Sequence, residues 1–224
     1  MQKTKRPYAV LFDLDGTLID SIGLLLASVK HAFDGRTRAP TESEWIAGIG
    51  TPLAKQLAPY AASPEDVELL VSRYRGFQHE AHDRMTRAYP GVLDTLQTLE
   101  RTGHPMAIVT SKGNTMMFKS LRYTGIERFM KSMIGCDSCA VHKPDPFPVR
   151  MALRELGYEP DEAVFVGDSP HDVSAGNAAG TTTIAAMWGP FSRAMLEPYK
   201  PTHFLDDITG LAPLLQRIEQ GTVG

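Results

Sequence analysis

Two cysteines, Cys136 and Cys139, are all that the 224-residue chain carries. They supply no disulfide framework, so a reducing cytoplasm is the expected compartment. Their spacing also fits a redox motif or half a zinc site. No second pair exists and the surroundings are not thioredoxin-like, so two unpaired thiols are expected. Charge of one sign is not in excess: 23 basic against 26 acidic residues leave −3, which favours neither nucleic acid nor an anionic membrane as partner. No apolar run approaches the roughly 18–20 residues that span a bilayer. The apolar segment behind the basic stretch Met1–Arg6 is broken by Asp13 and Asp15, so it does not read as a signal peptide. No internal repeat or low-complexity segment is visible. What remains is a chain long enough for one large domain or a core with a smaller insert.

The most informative stretch is Leu11-Phe12-Asp13-Leu14-Asp15-Gly16-Thr17-Leu18. The apolar run Ala9–Phe12 reads as a buried strand. It ends in two carboxylates one residue apart, followed by a glycine that permits a sharp turn. Both acids can reach one pocket at the strand's carboxyl end, where open α/β sheets bind ligands. Two such acids repel each other unless a proton or a cation intervenes, and magnesium, which prefers oxygen ligands, suits the need. Taken alone, Asp13 and Asp15 are also ordinary turn formers; the rest of the chain decides between the two.

Residues from about 20 to 86 read as helical throughout. Ile22, Leu25, Leu26, Val29 and Phe33 recur at helical spacing, with Gly35 to end the helix. Thr41-Glu42-Ser43-Glu44 is a capping box. Ser63-Pro64 starts a third helix whose apolar stripe runs from Val67 to Ala81; His79 and His82 are expected on its polar side. From Tyr89 onward strands and helices alternate. Strands are expected at Ala9–Phe12, Met106–Val109, Met133–Ile134, Ala163–Val166, Thr182–Ala186 and His203–Leu205. Asn114 is expected to cap the helix after the second strand. This alternation implies a doubly wound parallel sheet with helices on both faces. The expected division is a core of residues 1–19 and 88–224 with an all-helical cap of residues 20–87.

Polar residues collect where the strands end. Asp13 and Asp15 follow the first, Thr110 and Ser111 the second, Lys143 the third, and Asp168 with Asp172 the fourth. Converging on one face, they make four carboxylates, a hydroxyl and one lysine. That set suits a phosphate group, with magnesium and Lys143 against its oxygens and Thr110 donating to them. Each residue has a plainer reading: Thr110 as a strand-end β-branched residue, Lys143 as a solvated loop lysine, Asp168 and Asp172 as helix-start acids. Gly48 and Gly50 read as turn residues.

Asp13-Leu14-Asp15-Gly16-Thr17, Thr110, Lys143-Pro144 and Gly167-Asp168-Ser169 with Asp172 resemble the haloacid dehalogenase superfamily over nearly the whole chain. Val109-Thr110-Ser111-Lys112, Lys143-Pro144-Asp145-Pro146 and Trp188-Gly189 resemble its phosphoglycolate phosphatase-like branch. The resemblance implies a Rossmann-like core with a helical cap, and Asp13 as a nucleophile that forms an aspartyl phosphate. It implies Asp15 as general acid and base, and magnesium held by Asp13, the Asp15 carbonyl and Asp168, with Asp172 behind. Thr110, Ser111, Lys143 and Gly50 would contact the substrate. The expected activity is magnesium-dependent hydrolysis of a small phosphorylated metabolite such as phosphoglycolate, by a monomer or homodimer. A pyrophosphatase or a sugar phosphomutase of the same superfamily is the alternative. Dehalogenases lack the second aspartate, and phosphonate hydrolases replace it and need a cap lysine; Lys55 reads as a surface residue. A phospho-receiver module would need no cap and would carry its acid after a central strand.

Overall fold

A computed structural model of the protein describes residues 6–222, so the basic stretch Met1–Lys5 lies outside it. The core sheet has six parallel strands: β1 (Ala9–Phe12), β4 (Met106–Val109), β5 (Met130–Ile134), β6 (Ala163–Gly167), β7 (Thr182–Ala186) and β8 (His203–Leu205). Their order is β5-β4-β1-β6-β7-β8. β1 is central because its side chains are apolar on both faces. Val10 and Phe12 join one core cluster, with Val92, Leu96, Leu211 and Leu215 from α5 (Val92–Arg101) and α10 (Leu211–Glu219). Ala9 and Leu11 join the other, with Val149, Leu153 and Ala175 from α7 (Phe147–Leu156) and α8 (Pro170–Ala179). From β1 the chain order runs outward in both directions, which opens a crevice at the carboxyl ends of β4, β1 and β6.

Between β1 and β4 stand the cap helices α1 (Ile22–Ala32), α2 (Glu42–Ala47), α3 (Leu53–Leu57) and α4 (Pro64–Met85). α1 and α4 pack along each other, and the cap cluster around Leu25, Trp45, Leu57, Leu70 and Tyr74 runs on to Phe191 and Leu196 of the core. The capping box of α2 forms as the sequence predicts, Thr41 Oγ1 accepting from Glu44 N while Glu44 accepts from Thr41 N. Ser63 caps α4 with Pro64 in its first turn.

Four details differ from the sequence expectation. The cap is not wholly helical at its base: β2 (Ile19–Asp20) and β3 (Arg87–Ala88) pair antiparallel where the chain enters and leaves it. Strands of two residues carry no periodicity to read. His82 does not lie on a polar face but is fully buried, its Nε2 2.9 Å from Ser120 Oγ. Asn114 does not cap α6 (Asn114–Thr124); it is the first helical residue, and its backbone N–H donates to Asp137 Oδ2 at 2.7 Å. The third strand starts at Met130, three residues earlier than its apolar pair suggests. Cys136 and Cys139 are free thiols, as expected. No helix among the described residues is long and apolar enough to cross a membrane.

Candidate active site

The four strand ends bring the expected residues together. Asp13, Asp15, Thr110, Lys143, Asp168 and Asp172 are all buried. Lys143 is the hub. Its Nζ donates to Asp13 Oδ1 at 2.6 Å, to Asp172 Oδ1 at 2.5 Å and to the Val109 carbonyl at 3.0 Å. Burial alone would lower its pKa, but Asp13 and Asp172 outweigh burial and raise it, so it is a fixed cation. For Asp13 burial wins over the pull of Lys143, and with Asp172 and Asp15 nearby its carboxyl is pushed up to about 7. Asp168 is also raised well above the usual range, by burial and then by Asp13 and Asp172.

Asp172 lies in the first turn of α8 and is held from two sides. Ser169 caps the helix, accepting from Asp172 N, and Asp172 Oδ2 accepts from Ser169 N at 3.0 Å and from Ser169 Oγ at 2.6 Å. Asp168 is placed by a relay from a distant loop. Trp188 Nε1 donates to the Thr17 carbonyl at 2.8 Å, and Thr17 Oγ1 donates to Asp168 Oδ1 at 2.8 Å. Gly16 and Gly189 make room for it: a Cβ on Gly16 would lie 2.5 Å from Asp168 Oδ2, and one on Gly189 2.4 Å from Asp168 Cβ. Gly16 also sits at φ +89°, where side chains are strained.

These residues fit a divalent cation. Asp13, Asp168 and Asp172 each offer a carboxylate oxygen, all within 4.8 Å of one another. Among the described residues Asp168 Oδ2 is buried without a hydrogen-bond partner, which is costly unless something charged meets it. Asp172 is committed to Lys143 and Ser169, so Asp13 and Asp168 are the better direct ligands. An all-oxygen donor set is what magnesium takes.

Asp15 stands apart from that cluster. Its Oδ1 accepts from Lys112 Nζ at 2.7 Å and from Ser21 Oγ at 2.5 Å. The site therefore holds two lysines, not the single one that the strand-end pattern implies. Lys112 was visible as a cation two residues past Thr110, but nothing in the spacing says that it turns back to Asp15. Thr110 Oγ1 accepts from Lys112 N at 3.2 Å and so helps to turn that loop. Ser111 Oγ reaches the cap, donating to the Gly50 carbonyl at 2.5 Å. Next to it, Thr51 Oγ1 lies 3.3 Å from His171 Nε2. Gly50, at φ +96°, presses on the core so closely that a Cβ would lie 2.9 Å from His171 Cδ2. Lys55 is exposed, as expected.

Over these residues lies a cavity of about 520 Å³. Asp13, Asp15, Thr110 and Lys112 line it from the core, and the loop Ile49–Thr51 with helix α4 lines it from the cap. The cavity thus presents the Asp13 and Asp15 carboxylates, the Thr110 hydroxyl and the Lys112 ammonium on one wall, a set that suits a phosphate group.

Two buried carboxylate groupings, one around Lys143 and one paired with Lys112, thus meet beneath the cap helices, an arrangement of the kind found in phosphoryl-handling hydrolases. The chain belongs to the haloacid dehalogenase-like hydrolases, whose family model matches residues 10–186, and it is an enzyme of the phosphatase kind. It is 39% identical to pyrophosphatase PpaX of Bacillus velezensis over 92% of this chain and 95% of that protein. It is 36% identical to pyrophosphatase PpaX of Bacillus mycoides over 93% and 97%. Among solved structures, a predicted phosphoglycolate phosphatase from Haemophilus somnus superposes with a TM-score of 0.83 at 25% identity, covering 95% of this chain and 99% of that one.

Proposed function

We propose that the protein is a magnesium-dependent phosphohydrolase acting on a small phosphorylated metabolite through an aspartyl phosphate, with inorganic pyrophosphate as the favoured substrate and phosphoglycolate as the second. One observation carries the chemistry: Asp13 is fixed by Lys143 beside the buried, unpartnered Asp168 Oδ2, while Asp15 is held separately by Lys112 and Ser21. The two carboxylates thus have different environments and different tasks. Asp13 attacks phosphorus, and the bond to the leaving oxygen breaks. Asp15 passes a proton to that oxygen. Water then attacks the phosphorus of the acyl phosphate, Asp15 takes the proton, and the Asp13 carboxylate is regenerated. Lys143 and the Thr110 hydroxyl hold the phosphoryl oxygens. A magnesium ion on Asp13 and Asp168, when bound, neutralises charge on the transferring group.

Pyrophosphate comes before phosphoglycolate because the relatives bearing the pyrophosphatase name are 36–39% identical over nearly their whole length, whereas the phosphoglycolate name comes from a structure at 25% identity. The test is kcat/KM on pyrophosphate, phosphoglycolate, hexose phosphates and p-nitrophenyl phosphate with magnesium. The highest value is expected on pyrophosphate. A value on phosphoglycolate above that on pyrophosphate reverses the order, and hydrolysis of none of them removes the reading.

A further inference from the structure

We propose that Arg75 of the cap reads a second negative charge on the substrate, on the leaving side of the phosphoryl group; the identity of that substrate rests on the function proposed above. Arg75 and His79 stand one helical turn apart on α4 and line the same cavity as Asp13, Asp15 and Lys112. The Arg75 guanidinium reaches across to the core: its Nη2 lies 4.0 Å from where a Cβ on Gly113 would be, beside Lys112. Two other cap arginines, Arg73 and Arg36, have partners. Arg73 donates to the His31 and Asp34 carbonyls, and Arg36 pairs with Asp66. Arg75 has no hydrogen bond or ion pair among the described residues. Lys112, the other cation on the cavity wall, is already engaged with Asp15.

Much of the remaining wall is apolar, with Leu25, Trp45, Leu53 and Met116. Such a pocket orients its ligand through a few placed polar groups, and a bidentate guanidinium suits a phosphate or carboxylate. The core end of the cavity, where Asp13 is held by Lys143 and Asp15 by Lys112, takes one phosphoryl group on the function proposed above. The Arg75 cation at the outer wall, near an Asp137 carboxylate already engaged by the Asn114 N–H, therefore selects a substrate with two anionic ends over a phosphate ester whose leaving group is neutral.

The experiment compares wild type, Arg75→Met and Arg75→Lys on pyrophosphate, phosphoglycolate and p-nitrophenyl phosphate. Arg75→Met is expected to lower kcat/KM on pyrophosphate about 10- to 100-fold, chiefly through KM. On p-nitrophenyl phosphate it should stay within about twofold, and Arg75→Lys should recover part of the loss. An equal effect on phosphoglycolate identifies general anion reading; a smaller one identifies the second phosphate. Equal losses on all substrates, or none, overturn the proposal. Calorimetric binding of methylenediphosphonate with magnesium separates this result from the assigned activity. About tenfold weaker binding to Arg75→Met than to wild type supports Arg75 even if the turnover substrate is another one, and unchanged binding refutes it even if pyrophosphate is hydrolysed.

Discussion

Lys143 touches Asp13 and Asp172 with one ammonium group and leaves Asp168 to the Thr17 hydroxyl. Asp13 and Asp15, two residues apart in sequence, thus have separate cations, and their amides should fail differently. Asp13→Asn cannot form the acyl phosphate, so no phosphoryl group transfers to the protein. Asp15→Asn loses the acid and base, which typically costs about 10²–10⁴-fold. With p-nitrophenyl phosphate the leaving group needs little protonation, so the first step survives in part and the phosphorylated protein accumulates. Acid quench followed by intact mass measurement separates the two variants; a phosphorylated Asp13→Asn protein would remove the nucleophile assignment. The raised carboxyls make a second prediction. Asp13 sits at about 7 and Asp168 is also raised, against about 3.9 for an unfolded Asp. Between about pH 4 and 7 these two carboxyls keep protons that the unfolded chain loses, so their own contribution to stability falls as pH rises through that window, while His82, His171 and His203, lowered by burial, act in the opposite sense near pH 6. Asp66, held down at about 2 by Arg36, titrates outside it. Magnesium should raise the Tm more at about pH 8, where these carboxyls are ionised and repel each other without it, than at about pH 6. Equal magnesium increments at both pH values would mean that these carboxyls are already ionised without the metal.

At the scale of elements, the sequence exposed what periodicity and capping encode. Six strands were legible because each is a short apolar run closed by turn residues, and α2 and α4 because Thr41 and Ser63 announce their starts. The strand ends then exposed Asp13, Thr110, Lys143 and Asp168, since a parallel sheet collects its carboxyl ends on one face. Contacts that depend on tertiary packing were not legible: Lys112 turning back to Asp15, Asp137 capping α6 from 23 residues away, and Trp188 steadying Thr17. His82 shows the same limit, because the Ser120 that satisfies it lies on another helix. The loop between α2 and α3 has a consequence that can be measured. Gly50 combines a left-handed backbone with pressure on His171, so Gly50→Ala should lift the loop from the core and lower kcat/KM about tenfold or more, from a strain of about 1–2 kcal/mol plus the clash. Gly35→Ala is the control: φ is +76° but nothing lies within 4 Å of the new Cβ. It should lower Tm and leave kcat/KM unchanged. Equal loss of activity in both variants would show that backbone strain alone, without the loop's seat on His171, accounts for the effect.

For the whole molecule, the decisive feature is that cap and core share one cavity yet are joined covalently only through the ribbon of β2 and β3. Beside the apolar contact with Phe191 and Leu196, two sets of hydrogen bonds hold the cap down. On the loop side are single hydroxyl contacts, Ser111 to the Gly50 carbonyl and Thr51 to His171. On the other side α4 meets α6 through the buried His82–Ser120 pair, with Lys119 donating to the His79 carbonyl and Tyr123 to the Asp83 carbonyl. The second set includes a buried polar pair, which is costly to separate; the first consists of partly buried hydroxyl contacts that water can replace. Opening should therefore release the 48–53 loop first and turn about the ribbon and the α4–α6 side. Hydrogen exchange tests this. Amides of residues 48–53 should gain protection when phosphate and magnesium bind, while amides of residues 79–85 are protected throughout. The same closure limits what can react. A pyrophosphate or a small ester fits inside about 520 Å³, but a phosphorylated side chain on a folded protein would prop the cap open and leave the aspartyl phosphate exposed to water. Hydrolysis of a phosphoprotein should be far slower than that of pyrophosphate under the same magnesium concentration. Matching rates, with no protection gained by residues 48–53, would mean that the chemistry proceeds with the cap open.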